Sequence, residues 1–240
     1  MSLAGKGVVA IWQDLVPEAR PDFYEWHNRQ HVPERLGIPG FRRGRRFVAV
    51  DGGPEFYTLY EADSVAVVTG KDYLDRLNAP TDWSRRIMPT FRNMARSVCQ
   101  VAYSASIGEG GFMATLRFSI AGVQGVARDA KIRQVSEQVL PPILQQLGVV
   151  GVHLCSADES ASCINTFEKT FRQTEDITPQ FVIMIEGTSF AYVQYAVRSV
   201  SDSLQALLPG EAIDAAVYQL QHSSSGNYSN GNSVSGAHGK

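Results

Sequence analysis

Short runs of apolar and β-branched residues alternate along the chain with amphipathic segments, and both kinds of segment recur in one order. Four pairs of segments match between the two halves. The first strand is GVVAIWQDL (7–15) and GFMATLRFS (111–119), and the end of a helix with the second strand is RLGIPGFRRGRRF (35–47) and QLGVVGVHLCSA (146–157). The third strand is EFYTLYEAD (55–63) and QFVIMIEGT (180–188), and the fourth is VCQVAYSAS (98–106) and IDAAVYQLQ (213–221). Each half of the chain therefore predicts the order β-α-β-β-α-β.

A β-α-β-β-α-β unit of the ferredoxin-like kind has one four-stranded antiparallel sheet, with helices on one face and the other face bare. Two such units cover their bare faces by packing sheet to sheet. We therefore predict an α+β chain in which two ferredoxin-like repeats form an intramolecular α+β barrel, with a ligand cavity between the sheets. The predicted ranges are 1–106 for the first repeat, 107–222 for the second, diverged repeat, and 223–240 for a disordered tail rich in Ser, Gly and Asn.

The first repeat has two predicted helices. Pro21 and Asp22 suit the first turn of the leading helix, Gly37 suits its end, and Pro33 is expected to kink its last turns. The second helix is predicted within APTDWSRRIMPTFRNMARS (79–97), which begins with a Thr or Asp cap and carries an apolar stripe up to Met94.

Composition excludes several classes of protein. The 22 basic and 24 acidic residues nearly balance, so no overall field favours nucleic acid. No apolar run approaches the roughly 20 residues of a membrane helix, and no secretory pattern opens the chain, so we expect a cytoplasmic protein. Cys99, Cys155 and Cys163 form no CxxC motif, which favours reduced thiols over disulfides or zinc. A monomer is feasible because the second repeat supplies the partner sheet, although edge pairing could give a homodimer.

The leading helix carries two histidines. On helical spacing His27, His31 and Glu34 share a face, with Trp26 to one side. HNRQH has the two-His separation of a zincin helix but lacks the glutamate after the first His, which excludes that kind of protease. Three ligands on one short helix converge poorly, so we expect no metal. The histidines could equally cap the edge of a core.

The second strand carries two arginines on one face. Arg43 and Arg45 have the phase of Phe41 and Phe47, so we expect them to point inward. An inward guanidinium fork suits a carboxylate of an acidic substrate. The alternative is that these arginines are strand-end surface charges paired with nearby glutamates.

The two halves differ in their ionisable residues. Extending the alignment back from the LG motif places His27 on Gln138 and His31 on Pro142. The second copy thus lacks these histidines, as expected if the chain needs only one pocket, and drift in a duplicated copy would give the same pattern.

A helix ending H..ER, then GIPGF.RGRR and then YTLYE, resembles the dimeric α+β barrel superfamily, nearest to EthD-type and related bacterial proteins. The resemblance is best over residues 7–106. It implies the barrel fold and covers muconolactone isomerase-like enzymes, cofactor-independent monooxygenases, haem-using enzymes and proteins with no demonstrated activity. The haem ligand of the family would fall in the second repeat, which is not where His27 and His31 lie.

These observations predict an isomerase, lyase or cofactor-independent oxygenase acting on a carbonyl- or carboxylate-bearing organic compound. His31 is the expected acid/base, because imidazole titrates near neutral pH. No P-loop, GxGxxG or GxSxG motif occurs, so we expect no organic cofactor, although haem stays open. The alternative is a non-catalytic small-molecule-binding or stress-related protein with the same cavity. The candidate residues are His31, His27 and Tyr60 for catalysis, and Arg43, Arg45 and Trp26 for substrate binding.

Overall fold

The predicted strands close into a barrel. The computed structural model describes residues 3–122, 125–171 and 177–226. Its strands are β1 (Gly7–Leu15), β2 (Phe41–Asp51), β3 (Phe56–Ala62), β4 (Phe91–Ser106), β5 (Phe112–Phe118), β6 (Val149–Ala157), β7 (Phe181–Gly187) and β8 (Ile213–Ser225). All neighbouring strands around the barrel are antiparallel, in the order β1-β3-β2-β8-β5-β7-β6-β4.

Each half of this barrel has the strand order of a ferredoxin-like unit. The first half reads β4-β1-β3-β2, and the second reads β8-β5-β7-β6. The ladders β2–β8 and β4–β6 join the halves edge to edge. The predicted fold class, α+β with two ferredoxin-like repeats joined as an intramolecular barrel, is therefore confirmed. Closure also pairs every sheet edge, which removes the aggregation risk of an open edge.

The helices pack on the outer side of the strands. In the first repeat they are α1 (Arg20–Trp26), α2 (Val32–Leu36), α3 (Val65–Val68), α4 (Lys71–Asn78) and α5 (Asp82–Ile87), and in the second they are α6 (Gly125–Gln134), α7 (Leu140–Leu144), α8 (Glu159–Ser162), α9 (Phe167–Thr170) and α10 (Phe190–Leu207). Short 3-10 turns occupy Pro17–Ala19 and Met88–Thr90. No helix among the described residues is long and apolar enough to cross a membrane.

The predicted kink near Pro33 takes the form of a π-helical turn. His27–His31 form this turn between α1 and α2, and the N–H of Val32 bonds to the carbonyl of His27. A proline has no N–H to donate, so the helix cannot keep its regular ladder around Pro33. The second repeat has the same device, because a π turn at Val135–Val139 precedes Pro141.

The second predicted helix of the first repeat is shorter than expected. The Thr81 hydroxyl accepts a hydrogen bond from the N–H of Ser84, which confirms the cap. The helix ends at Ile87 because Pro89 follows, and β4 begins at Phe91. Met94, expected on a helical stripe, therefore lies on a strand.

The barrel interior is filled rather than open. Trp12 and Phe47 both stack on Tyr57, with ring centroids 5.1 Å and 5.6 Å from its ring. Met113, Val182, Met184 and Tyr218 fill the remaining space. The expected ligand cavity between the sheets is thus occupied by a packed core in the described structure, as in other small barrels.

The last strand extends past the predicted start of the tail. Ser223–Ser225 belong to β8, where they pair with Arg45, Gly44 and Arg43 of β2. The boundary expected after residue 222 therefore lies at least three residues later. Residues 227–240 of the predicted tail lie outside the described residues.

Candidate functional site

Alternation along β2 and β3 divides the polar side chains of these strands, predicted site residues among them, between two compartments. Arg46 and Tyr60 face the helices, where both contact His27. Arg45 and Glu61 face the barrel interior, where they contact each other. Because successive side chains of a strand point to opposite faces, one ligand in the helix layer cannot touch both sets.

A cavity of about 30 Å³ lies between α1–α2, α4 and the outer face of β1, β3 and β4. This volume admits about two water molecules. Its walls are mainly apolar, with Phe23, Trp26, Tyr73, Leu77, Met88 and Phe91 among them. Its polar lining includes His27, His31, Arg35, Tyr60 and Glu168.

His27 is held by hydrogen bonds at both ring nitrogens. The guanidinium of Arg46 lies 3.1 Å from Nδ1, and Nε2 lies 3.3 Å from the hydroxyl of Tyr60. An arginine only donates, so Nδ1 accepts and the ring proton sits on Nε2. Burial, and then the charge of Arg46, lower the pKa of His27 well below its usual value. His27 is therefore a neutral donor to Tyr60 and not a proton acceptor.

Tyr60 is consequently a fixed donor. Burial raises the pKa of its phenol, so the hydroxyl stays protonated. Because the Tyr60 oxygen accepts from His27, its own hydrogen is available to an acceptor in the cavity that Tyr60 lines. A carbonyl oxygen is such an acceptor.

His31 lines the same cavity as this pair. Its ring stacks on Trp26 with centroids 4.2 Å apart, and it lies 6.2 Å from the ring of Tyr60. The indole N–H of Trp26 donates to the hydroxyl of Ser84 in α5. The hydrogen bond to Ser84 thus fixes the Trp26 ring, and stacking on this ring orients the plane of the His31 imidazole.

Arg35 is a site residue that the sequence analysis missed. It lines the cavity from α2, four residues after His31, and is only 2 % exposed. One guanidinium nitrogen donates to Glu168 of the second repeat, and the other terminal nitrogen has no hydrogen-bond partner among the described residues. Helical spacing could have found Arg35, since residues four apart share a helix face, but the RLG segment by itself indicates only the end of the helix.

Arg43 and Arg45 point inward as expected, but into a buried charge network at one end of the barrel. Arg45 bonds to Glu61 at 3.1 Å and to Glu186 at 3.0 Å, and Arg43 bonds to both oxygens of Glu61 at 2.8 Å. His153 contacts Glu186 at 3.3 Å. The structure therefore does not bring these arginines together with the histidines, and their guanidinium groups are engaged by carboxylates.

The second repeat has no counterpart of the helix-layer cavity lining. Gly40 and Gly148 both have positive φ immediately before β2 and β6, which shows that the LG alignment was three residues out of register. With the π turns and helix ends superposed, the residues at the positions of His27, His31, Arg35 and Tyr60 are Val135, Val139, Ile143 and Ile185. All four belong to one buried apolar cluster. The pairing with Gln138 and Pro142 was wrong, but the loss of the ionisable set is real.

The helices that cover the sheet also differ between the two repeats. α3, α4 and α5 of the first repeat are short pieces, whereas α10 of the second is one helix of 18 residues. α10 buries Val193, Ala196, Val200 and Leu204 in the apolar cluster. Among the described residues, the helix layer of the second repeat is therefore packed with apolar side chains at the positions that line the cavity in the first.

A larger, open cavity of about 720 Å³ lies at the barrel end opposite the charge network. Its charged side chains are already engaged, because Arg117 pairs with Asp214 and Asp14 accepts from the N–H of Glu55. In the described part of the chain no group of three His, Cys, Asp and Glu side chains is placed to hold a metal ion.

Comparison with solved structures shows the fold. An anthrone oxidase-like protein superposes with a TM-score of 0.62 at 12% identity, covering 98% of this chain and 99% of that one. A candidate monooxygenase of Fusobacterium nucleatum gives 0.56 at 9% identity, covering 93% and 96%, and a candidate chlorite dismutase gives 0.54 at 9%, covering 91% and 96%. The chain has the fold of the α+β barrel proteins. At these identities the likeness concerns fold alone.

No family model matches the sequence, and no curated protein shows significant similarity to it. The nearer resemblance to EthD-type proteins therefore stays a prediction.

Proposed function

We propose that the chain is a small-molecule enzyme that moves a proton on a carbonyl- or carboxylate-bearing organic compound bound in the helix-layer cavity of the first repeat. The observation that carries the proposal is the polar set His31, Tyr60 and Arg35 around a buried aromatic cavity. Apolar residues replace this set in the second repeat.

His31 is the proposed acid/base. Its imidazole lines the cavity and is held against Trp26, so the ring is oriented without being bonded to that neighbour. A neutral imidazole removes a proton from a carbon next to a carbonyl, and the negative charge moves to the carbonyl oxygen.

Tyr60 is the proposed donor to that oxygen, and His27 and Arg46 are positioning residues behind it. The relay from Arg46 through His27 fixes the phenol so that its hydrogen points away from His27. A preoriented donor in a buried site stabilises a developing oxyanion more than the uncharged carbonyl. The same first step serves an isomerase, a lyase or a cofactor-independent oxygenase, and the names of the structural neighbours favour the oxygenase branch.

Phenylpyruvate is a suitable probe, because it joins an aromatic ring, a carbonyl, a carboxylate and an acidic C–H. We expect the protein to catalyse exchange of its benzylic hydrogens with deuterium from solvent, measured by NMR. Oxygen uptake recorded in parallel would show whether oxygenation follows.

His31→Ala should lose the exchange activity by about 100-fold, in the range of an acid/base contribution. The matched control is Arg29→Ala, on the same helical segment but at the surface, where Arg29 pairs with Glu25. Exchange no faster than in buffer, or equal exchange in the wild type and His31→Ala, would reject the enzyme and favour a binding protein.

A further inference from the structure

A carboxylate from the second repeat closes the cavity of the first. The connection between β6 and β7 carries α8 and α9 and reaches across to the helices of the first repeat. The N–H of Phe167 donates to the side chain of Asn78 in α4 at 2.9 Å, and the guanidinium of Arg85 lies over the Phe167 ring. This docking places Glu168 in the cavity wall, 133 residues along the chain from its partner Arg35.

The Arg35–Glu168 pair uses only part of the guanidinium. The bond runs from one terminal nitrogen to one carboxylate oxygen, at 2.5 Å, and both side chains are about 95% buried. The second terminal nitrogen is buried without a hydrogen-bond partner in the described structure. A guanidinium can bind a carboxylate through two parallel bonds, so a better-placed carboxylate would satisfy both nitrogens.

The cavity is closed to anything of ring size. Its volume is about 30 Å³, whereas small-molecule sites have roughly 300 Å³ or more. A ligand must therefore displace part of the wall. Glu168 is the wall residue that a carboxylate can replace in kind. It sits in α9, a helix of four residues whose first residue, Phe167, is 45% exposed.

We propose that Glu168 occupies Arg35 in place of the carboxylate of an aromatic carboxylic acid, and that binding of such an acid exchanges the two carboxylates and displaces α9. The inference rests on the proposed function only in taking this cavity as the ligand site. The aromatic walls select the ring, and Arg35 selects the charge. Glu168 recovers its hydration when it leaves, which offsets part of the cost of breaking the pair.

Competition of this kind reduces the apparent ligand affinity in proportion to the fraction of molecules in which Arg35 is not occupied by Glu168. Removing the charge of Glu168 should therefore tighten binding of a carboxylate and leave a neutral analogue unaffected. Benzoate and benzamide form the matched pair of probes, because they share the ring and differ in the charge.

The test is titration calorimetry of the full chain with both probes. Glu168→Gln should bind benzoate at least about tenfold more tightly than the wild type, with the affinity for benzamide changed less than about threefold. Arg35→Met should abolish the preference for benzoate. No detectable benzoate binding by Glu168→Gln, or an equal gain for benzamide, overturns the proposal.

Hydrogen exchange on the wild type gives a second readout that does not depend on a variant folding. Saturating benzoate should speed amide exchange within residues 159–171 and leave α10 unchanged. Unchanged exchange in residues 159–171 overturns the proposal. Benzoate undergoes no proton abstraction, so its binding is independent of the enzyme assay. Equal phenylpyruvate exchange in the wild type and His31→Ala, together with tighter benzoate binding by Glu168→Gln, would reject the enzyme and keep this binding mode.

Discussion

Arg45 of the first repeat lies between two glutamates at matching positions of the two repeats, bonded to Glu61 of β3 and to Glu186 of β7. Glu61 lies opposite Val8 of β1, and Glu186 lies opposite Met113 of β5, so the two carboxylates occupy the same place in each half. One guanidinium therefore links the two halves inside the barrel.

Replacing Arg45 by Met should destabilise the fold, because two buried carboxylates would share one fewer counter-charge. Breaking a buried ion pair in this way costs roughly 3 to 5 kcal/mol. Urea denaturation measures the change. Arg42→Met is the control, since its pair with Asp63 is at the surface and is worth at most about 1 kcal/mol. Similar losses in both variants would show that the network does not hold the halves together.

Acid should weaken the fold through Glu186. Burial alone raises its pKa, but the bonds from His153 and Arg45 outweigh burial and lower it from 4.5 to about 2. A lowered folded-state pKa stabilises the fold above the unfolded value, and this contribution is lost as the pH falls from 4.5 through about 2. The shift corresponds to about 3 kcal/mol. Glu186→Gln should flatten the stability profile in that window, and an unchanged slope would contradict the assignment.

The fold was predictable because it depends on the order and periodicity of segments. Register was not. The LG motifs at 36–37 and 147–148 suggested an alignment that the helix ends contradict, whereas Glu61 and Glu186 were matched correctly because no insertion separates them from the ends of β3 and β7.

The side chains around Arg43 show that register can also be mispredicted within a single strand. Strict alternation predicts Phe41, Arg43 and Phe47 on one face. A bulge between Phe41 and Arg43 turns Phe41 toward Tyr73 in the helix layer, while Phe47 packs on Tyr57 in the barrel. Periodicity does not reveal a bulge, since the extra residue leaves no sign in the apolar pattern.

The candidate site was predictable in part. His27, His31, Trp26 and Tyr60 do meet at one cavity, because helical spacing and strand position carry that information. Glu168 lies far along the chain, and only the docking of the β6–β7 connection brings it there.

Tyr60→Phe should preserve the fold and remove the proposed donor to the substrate oxygen. We expect kcat for phenylpyruvate exchange to fall by about 100-fold, typical of losing one oxyanion donor, with little change in KM. Tyr103→Phe is the control for deletion of a hydroxyl, because Tyr103 packs against the apolar cluster of the second repeat. A variant that exchanges at the wild-type rate would remove Tyr60 from the mechanism.

His27 should stay neutral across the physiological range, because burial and Arg46 disfavour its charged form. Imidazole nitrogen NMR should show the proton on Nε2 with no titration between about pH 8 and 6. Arg46→Met should release this restraint and let the other tautomer form. A titration midpoint near the ordinary value of 6.5 in the wild type would show that Nδ1 is not held by Arg46.

The most direct test of the central claim, that the ligand site is the helix layer of the first repeat, is imidazole NMR during titration with phenylpyruvate. We predict that the His31 signals shift and saturate, while those of His153, buried inside the barrel beside Glu186, do not move. Saturable shifts at His153 with His31 unchanged would place the ligand in the barrel and contradict the account.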